Sequence, residues 1–113
     1  MQRERADAEL LGSGAASDFG SFYDRHVSAV TAFVGAWAAR PDVAFDLVSE
    51  TFARALEHRD QYDPMKGPAV AWLLGIARNL MIDSARRGKV ESYAGLVKAR
   101  SAEVDSHGLP NWQ

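Results

Sequence analysis

The sequence predicts an all-α fold, and three observations carry that prediction. Apolar residues recur at three- and four-residue steps in three long segments, proline and turn chemistry separate those segments, and no stretch alternates apolar with polar residues as a half-buried strand would. The expected architecture is a compact three-helix bundle with an ordered loop between the second and third helices and flexible ends.

The elements follow in chain order. Residues 1–17 close on Leu11-Gly12-Ser13-Gly14-Ala15-Ala16-Ser17, a small-residue composition that reads as a flexible arm with room for one short helical turn before it. Behind Asp18 as a cap, Phe19, Phe22, Tyr23, His26, Val27, Val30, Phe33, Val34 and Trp37 form one helical stripe that ends near Arg40-Pro41. Pro41-Asp42 restarts the chain, and Ala44, Leu47, Val48, Thr51, Phe52, Ala55 and Leu56 form a second stripe, with Asp46, Glu50, Arg54 and Glu57 off it. The segment from His58 to Gly67 has no period and carries turn chemistry at Asp63-Pro64 and Lys66-Gly67. Pro68 suits the first residue of a third helix running through Arg87. Its inward stripe is Ala69, Leu73, Ile76, Ala77 and Leu80, while Trp72, Gly75, Asn79, Asp83 and Arg86 share another face. From Lys89 onward the pattern weakens to a linker or tail with room for one short helix around Ser92 to Arg100. The domain expected from these boundaries spans 18–89, with the tail at 90–113.

Composition narrows the function classes. At 113 residues and 47% hydrophobic content, the chain fits one small globular core. The absence of cysteine removes disulfides, thiolate metal sites and cysteine nucleophiles. No apolar run approaches the roughly 20 residues that span a bilayer, so no membrane insertion is expected and the cytoplasm is the default location. The net charge of -2 conceals an asymmetry: up to Asp63 there are 6 basic and 11 acidic residues, and after it 7 and 4. Such a division suits a chain that shows one face to a basic partner and another to a polyanion, although solvated helices also produce it.

Few residues are placed for catalysis. His26, His58 and His107 stand in a core stripe, a loop start and a tail, without ligand-like spacing, so neither a metal nor a cofactor is expected. Asp46 and Glu50 lie one helical turn apart, but no nucleophile or phosphate loop accompanies them, and they read as an acidic ridge. Such a ridge either faces solvent or orients a partner's arginines. The end of the third helix gathers Arg78, Arg86, Arg87 and Lys89 near Trp72 and Asn79. Cations for phosphates, an indole face for stacking and an amide for a base edge together suit single-stranded nucleic acid. The same basic residues also complement a helix dipole, and tryptophan is a frequent core residue.

Three blocks add a family resemblance covering Asp18 to Lys89: Asp18-Phe19-Gly20-Ser21-Phe22-Tyr23-Asp24-Arg25-His26, then Asp46-Leu47-Val48-Ser49-Glu50-Thr51-Phe52-Ala53-Arg54-Ala55, then Ala71-Trp72-Leu73-Leu74-Gly75-Ile76-Ala77-Arg78-Asn79-Leu80-Met81-Ile82-Asp83-Ser84-Ala85-Arg86-Arg87. In order and spacing they resemble region 2 of the extracytoplasmic-function sigma factors of RNA polymerase. The resemblance implies a non-enzymatic domain that binds core polymerase and recognises and melts the minus-ten promoter element. The second helix would dock on the clamp coiled coil of the largest polymerase subunit through Asp46, Ser49 and Glu50, with Leu56 nearby. The loop from Arg59 to Gly67, with Arg59, Asp60, Gln61, Tyr62 and Lys66, would hold a flipped non-template base, and Trp72 and Asn79 would border the melted strand. An anti-sigma protein is a further implied partner.

The chain departs from the family pattern at three positions and in length. Ser49 replaces a common glutamine, Phe45 stands where a charge is common, and Gly75 replaces a larger residue at a helix cost of about 1 kcal/mol relative to alanine. The 24 residues after Lys89 are too few for the family's second helical domain, which reads the minus-thirty-five element. A second function stays open on these grounds: a sigma-like decoy that engages an anti-sigma protein and leaves DNA alone. Phe45 and the missing second domain favour it, whereas Trp72, Asn79 and the basic cluster favour strand capture.

Overall fold

The computed structural model describes residues 5–88, and helix dominates them: α1 (Asp7–Gly12), α2 (Ala16–Gly35), α3 (Pro41–Glu57) and α4 (Ala69–Arg86), with two 3-10 turns, Arg59–Gln61 and Pro64–Lys66, between α3 and α4. The three long helices pack against one another, as the periodicity predicts, and no β-strand forms among the described residues. The short helix suggested around Ser92 to Arg100, along with Lys89 and His107, lies outside them.

The core sits where the three stripes meet. Phe22, Val30 and Val34 from α2, Leu47, Val48, Phe52 and Ala55 from α3, and Leu73, Ala77, Leu80 and Met81 from α4 are buried. Phe22 stands edge-on to Phe52 with ring centroids 6.4 Å apart, a favoured aromatic geometry. Thr51 is buried among them, and its hydroxyl donates to the Leu47 carbonyl at 2.7 Å, which removes the cost of an unpaired polar group. Pro41 opens α3 at a position whose amide needs no helical partner.

Four details correct the sequence reading. Residues 7–12 form the short helical turn allowed for there, but it is packed and not loose: Leu10 and Leu11 are 3% and 2% exposed, and Asp7 is tied to α2 through Arg25 and His26. Six residues cannot sustain a helix alone, so this packing holds α1 in place. Asp18 is not a cap; α2 begins at Ala16 behind Ala15, and Asp18 in the first turn meets Arg5 at 2.9 Å. Its carboxyl is held below the usual range, first by a hydrogen bond from Ser13 and further by Arg5. Pro68 precedes α4 as its cap residue, and the helix closes at Arg86. Gly75, assigned outward, is buried, while Ile76 packs only partly against the core. Gly20 and Gly35 on α2 stay exposed, so the burial of Gly75 reflects its local packing on α4 and not the mere lack of a side chain.

The segment between α3 and α4 carries several polar contacts of its own. Asp63 accepts a hydrogen bond from the Met65 amide at 2.9 Å, and Gly67 adopts φ 140°, a conformation that favours glycine. The Tyr62 hydroxyl donates to the Gly67 carbonyl at 3.0 Å, and its ring lies 5.4 Å from that of Trp72. Burial raises the Tyr62 phenol above its ordinary pKa, and the negative charges of Asp7 and Asp63 push the same way.

Two outcomes follow from this packing. Leu11→Ala should cost about 2 to 5 kcal/mol in urea unfolding, as for a core leucine; a loss near zero would return residues 7–12 to the status of a loose arm. Tyr62 should ionise late. The folded chain keeps a proton that the unfolded chain releases near pH 10.0, so stability holds up to that pH and falls as pH rises through the higher folded value. An absorbance titration of the folded chain should therefore show one delayed tyrosine, absent in Tyr62→Phe.

Candidate functional site

Two surfaces emerge from the bundle, one on α3 and one spanning the 59–67 segment and α4. On α3, burial of Leu47, Val48, Thr51, Phe52 and Ala55 turns the intervening residues outward. Asp46, Ser49 and Glu50 are all exposed, and Asp46 and Glu50 stand one turn apart. Glu50 meets Arg54 at 3.4 Å across exposed surface, an arrangement worth a few tenths of a kcal/mol and easily surrendered to a partner. Beside the carboxylates runs an apolar line: Phe45 is 71% exposed and Leu56 42% exposed, with Ser49 one turn after Phe45. A carboxylate row flanking apolar side chains offers charge that can orient a partner and apolar area that can contact one.

The second surface begins where α3 ends. Arg59, Asp60 and Gln61 are exposed in the first 3-10 turn; Arg59 Nη1 donates to the Leu56 carbonyl at 3.4 Å, and the Gln61 amide lies 3.3 Å from His58 Nδ1. Lys66 is exposed, and Met65 is 91% exposed. Tyr62 and Trp72, assigned separately to loop and helix, come together: their rings are inclined at 43° and both pack at the margin of the core. Trp72 is therefore half-buried, with part of its indole engaged by Tyr62.

Farther along α4, Asn79 is exposed and falls on the same side as Trp72, seven residues on. Arg86 and Arg87 are exposed at the helix end, Arg87 paired with Asp83 at 2.6 Å. Arg78 is half-buried and its Nε is sealed from solvent without a hydrogen-bond partner. Lys89, the remaining cation of the assigned cluster, lies outside the described residues. No group of three histidine or carboxylate side chains that could hold a metal ion occurs among the described residues.

Arg59 has a second setting that the sequence does not reveal. A concavity of about 440 Å³ is lined by Leu10, Leu11, Phe19, Tyr23, Leu56 and Arg59, among others, and it involves neither Trp72 nor Asn79. The concavity therefore joins α1 to the start of the 59–67 segment and does not open beside the α4 strip. Asp7, Leu10, Leu11 and Met65 are the residues of this region that sequence reasoning passed over; the adjacent Leu10-Leu11 pair was the available signal for α1.

Comparison with known proteins identifies the family. Residues 22–99 match the sigma-70 region 2 family model. Over 105 residues the chain is 30% identical to the ECF RNA polymerase sigma factor SigL of Mycobacterium tuberculosis, covering 91% of this chain and 55% of that protein. Over 75 residues it is 38% identical to the ECF RNA polymerase sigma factor BldN of Streptomyces coelicolor, covering 66% of this chain and 28% of that protein. The chain thus spans about half the length of SigL and less of BldN. No solved structure is significantly similar to it. With the family match running from Phe22 in α2 through the whole of α3 and α4, the chain belongs to the sigma-70 region 2 family, in its extracytoplasmic-function branch.

Proposed function

We propose that this chain acts in transcription initiation as a sigma domain that binds core RNA polymerase through α3 and captures the melted non-template strand of the minus-ten element through the 59–67 segment and α4. The observation that carries the reading is the division of the surface: Asp46, Ser49, Glu50 and Leu56 stand exposed on one helix, while Trp72, Asn79 and Arg86 lie along another, continuous with the Tyr62 contact. On this reading the clamp coiled coil of the largest polymerase subunit meets the carboxylate row, and complementary charge sets the docking register. Arg59, Asp60, Gln61, Tyr62 and Lys66 surround an extruded base, Asn79 offers an amide to a base edge, and Arg78, Arg86, Arg87 and Lys89 neutralise phosphates.

The physical step is strand capture. A base that leaves the duplex loses a few kcal/mol of stacking and pairing, and an aromatic surface, a polar pocket and phosphate contacts offset that loss. The chain supplies binding and orientation, and RNA synthesis belongs to the polymerase, so the domain is a specificity factor that works in the cytoplasm beside the polymerase. No helix of the described residues is long and apolar enough to cross a membrane.

One observation favours a second reading. Phe45, 71% exposed at the head of the α3 face, would be covered well by a regulator's apolar side chain, as in a decoy that binds an anti-sigma protein and not DNA.

The two readings separate in a binding assay with purified chain, core polymerase and a fluorescent non-template minus-ten oligonucleotide. Trp72→Ala should weaken oligonucleotide capture by about 1 to 3 kcal/mol. Asn79→Ala, at an exposed position, should weaken it without touching the fold. Asp46→Ala should instead slow association with polymerase, most visibly at low salt. A chain that binds an anti-sigma protein while ignoring both polymerase and strand would replace strand capture with the decoy.

A further inference from the structure

Asp7 joins the first helix to the rest of the molecule. Its carboxylate accepts from Arg25 Nη1 on one oxygen and meets His26 Nε2 with the other, both at 2.9 Å. All three side chains are largely shielded, Asp7 being 19% exposed and His26 13%. Charge-assisted bonds in such a setting hold geometry better than exposed ion pairs do. The His26 ring is itself fixed edge-on against Phe22, 4.9 Å away, so the anchor reaches the bundle core.

The other side of α1 meets the segment that follows α3. The helix packs against the Arg59–Gln61 turn, and Leu10 and Leu11 share a concavity with Leu56 and Arg59. A Cβ added at Gly14, just past α1, would lie in ordinary contact with Arg59 Nη2, 3.9 Å away. The charge of Asp7 is felt as far as Tyr62, which in turn rests on Trp72. A helix of six residues has no stability of its own, so its placement under the 59–62 segment depends on its anchor and its two leucines.

We infer that Asp7 is a positioning residue for strand capture: by fastening α1 to Arg25 and His26, it fixes the surface on which the 59–62 segment rests and orders that segment before DNA arrives. The inference rests on the strand-capture reading above and adds to it a determinant outside the strand-facing residues. A segment ordered in advance has less conformational freedom to lose at binding, so the anchor appears in affinity without touching DNA. Asp46, Ser49 and Glu50 stand out into solvent on α3 away from α1, and only Leu56 of the polymerase-facing residues shares the concavity with it, so polymerase docking should depend on the anchor far less than strand capture does.

The test uses the full chain and its Asp7→Ala and Asp7→Glu variants. Amide hydrogen exchange is followed in residues 59–67 and in 47–55 as an internal control, and affinities for core polymerase and for the non-template minus-ten oligonucleotide are measured separately. Asp7→Ala should speed exchange in 59–67 and weaken oligonucleotide capture, each by about tenfold, because the lost contacts are charge-assisted hydrogen bonds. Exchange in 47–55 should stay at the wild-type value, polymerase affinity should fall by much less than oligonucleotide capture, and Asp7→Glu should recover part of both losses. Unchanged exchange in 59–67 overturns the inference, as does acceleration spread equally over 47–55, which would make Asp7 a contributor to global stability alone. Faster exchange with undiminished capture also overturns it. If Trp72→Ala captures the oligonucleotide as wild type does, the failure lies in the strand-capture reading and not in the role of Asp7.

Discussion

The arrangement depends on the burial of Phe22 of α2 against Phe52 of α3. A small domain has one core to work with, and here that core is a single cluster in which Phe22, Phe52, Leu73 and the valines of α2 exclude water together. Each helix has one stripe to give to it, so the choice of stripe decides the choice of outward face. Rotating α3 to bury Phe45 would pull Leu47 and Thr51, both buried now, into solvent. The exposure of Asp46, Ser49 and Glu50 is thus a consequence of core packing, enforced by interactions on the opposite side of the helix.

Charge then distinguishes faces that packing alone would leave equivalent. The exposed pairs, Glu50 with Arg54 and Asp83 with Arg87, follow the one-turn spacing of a helix and contribute little to stability. Such exposed pairs exchange partners readily. A carboxylate that leaves Arg54 for a cation on another protein gives up about 0.3 to 0.5 kcal/mol, far less than a buried charge would. The Asp7 bridge is the contrasting case: shielded and two-pronged, it is suited to holding position and poorly suited to exchange.

What can be read from the sequence divides along the same physical line. The long helices announce themselves because each buries a stripe over many turns, and a 3.6-residue period repeated across 17 to 20 residues is hard to produce otherwise. Helix α1 has under two turns, too few for a period, and owes its place to a carboxylate reaching 18 and 19 residues along the chain. No local rule ties Asp7 to Arg25. Gly75 eludes pattern reading because it has no side chain to point, and Asp18 eludes it because the chain turns at Ser13 and Gly14 and starts the helix early. The residues proposed to face the strand can be named from resemblance, but the pairing of Tyr62 with Trp72 arises only when the 59–67 segment folds back on α4.

That pairing changes what the indole can offer. An isolated exposed tryptophan would present two faces to a base, at the cost of exposed apolar surface and free rotamers. Trp72 is packed at the core margin on one side and tilted against Tyr62, whose hydroxyl is bound to Gly67, so its orientation is set before any ligand arrives. Less of the ring is available, but the remainder is rigid. Since stacking on an aromatic side chain is worth about 1 to 3 kcal/mol per base, fixing the ring in advance preserves most of that gain, whereas a mobile ring surrenders part of it to ordering. A half-buried tryptophan is therefore better suited to strand capture than a fully exposed one, provided that Tyr62 stays locked to Gly67 and the segment beneath it is held by α1.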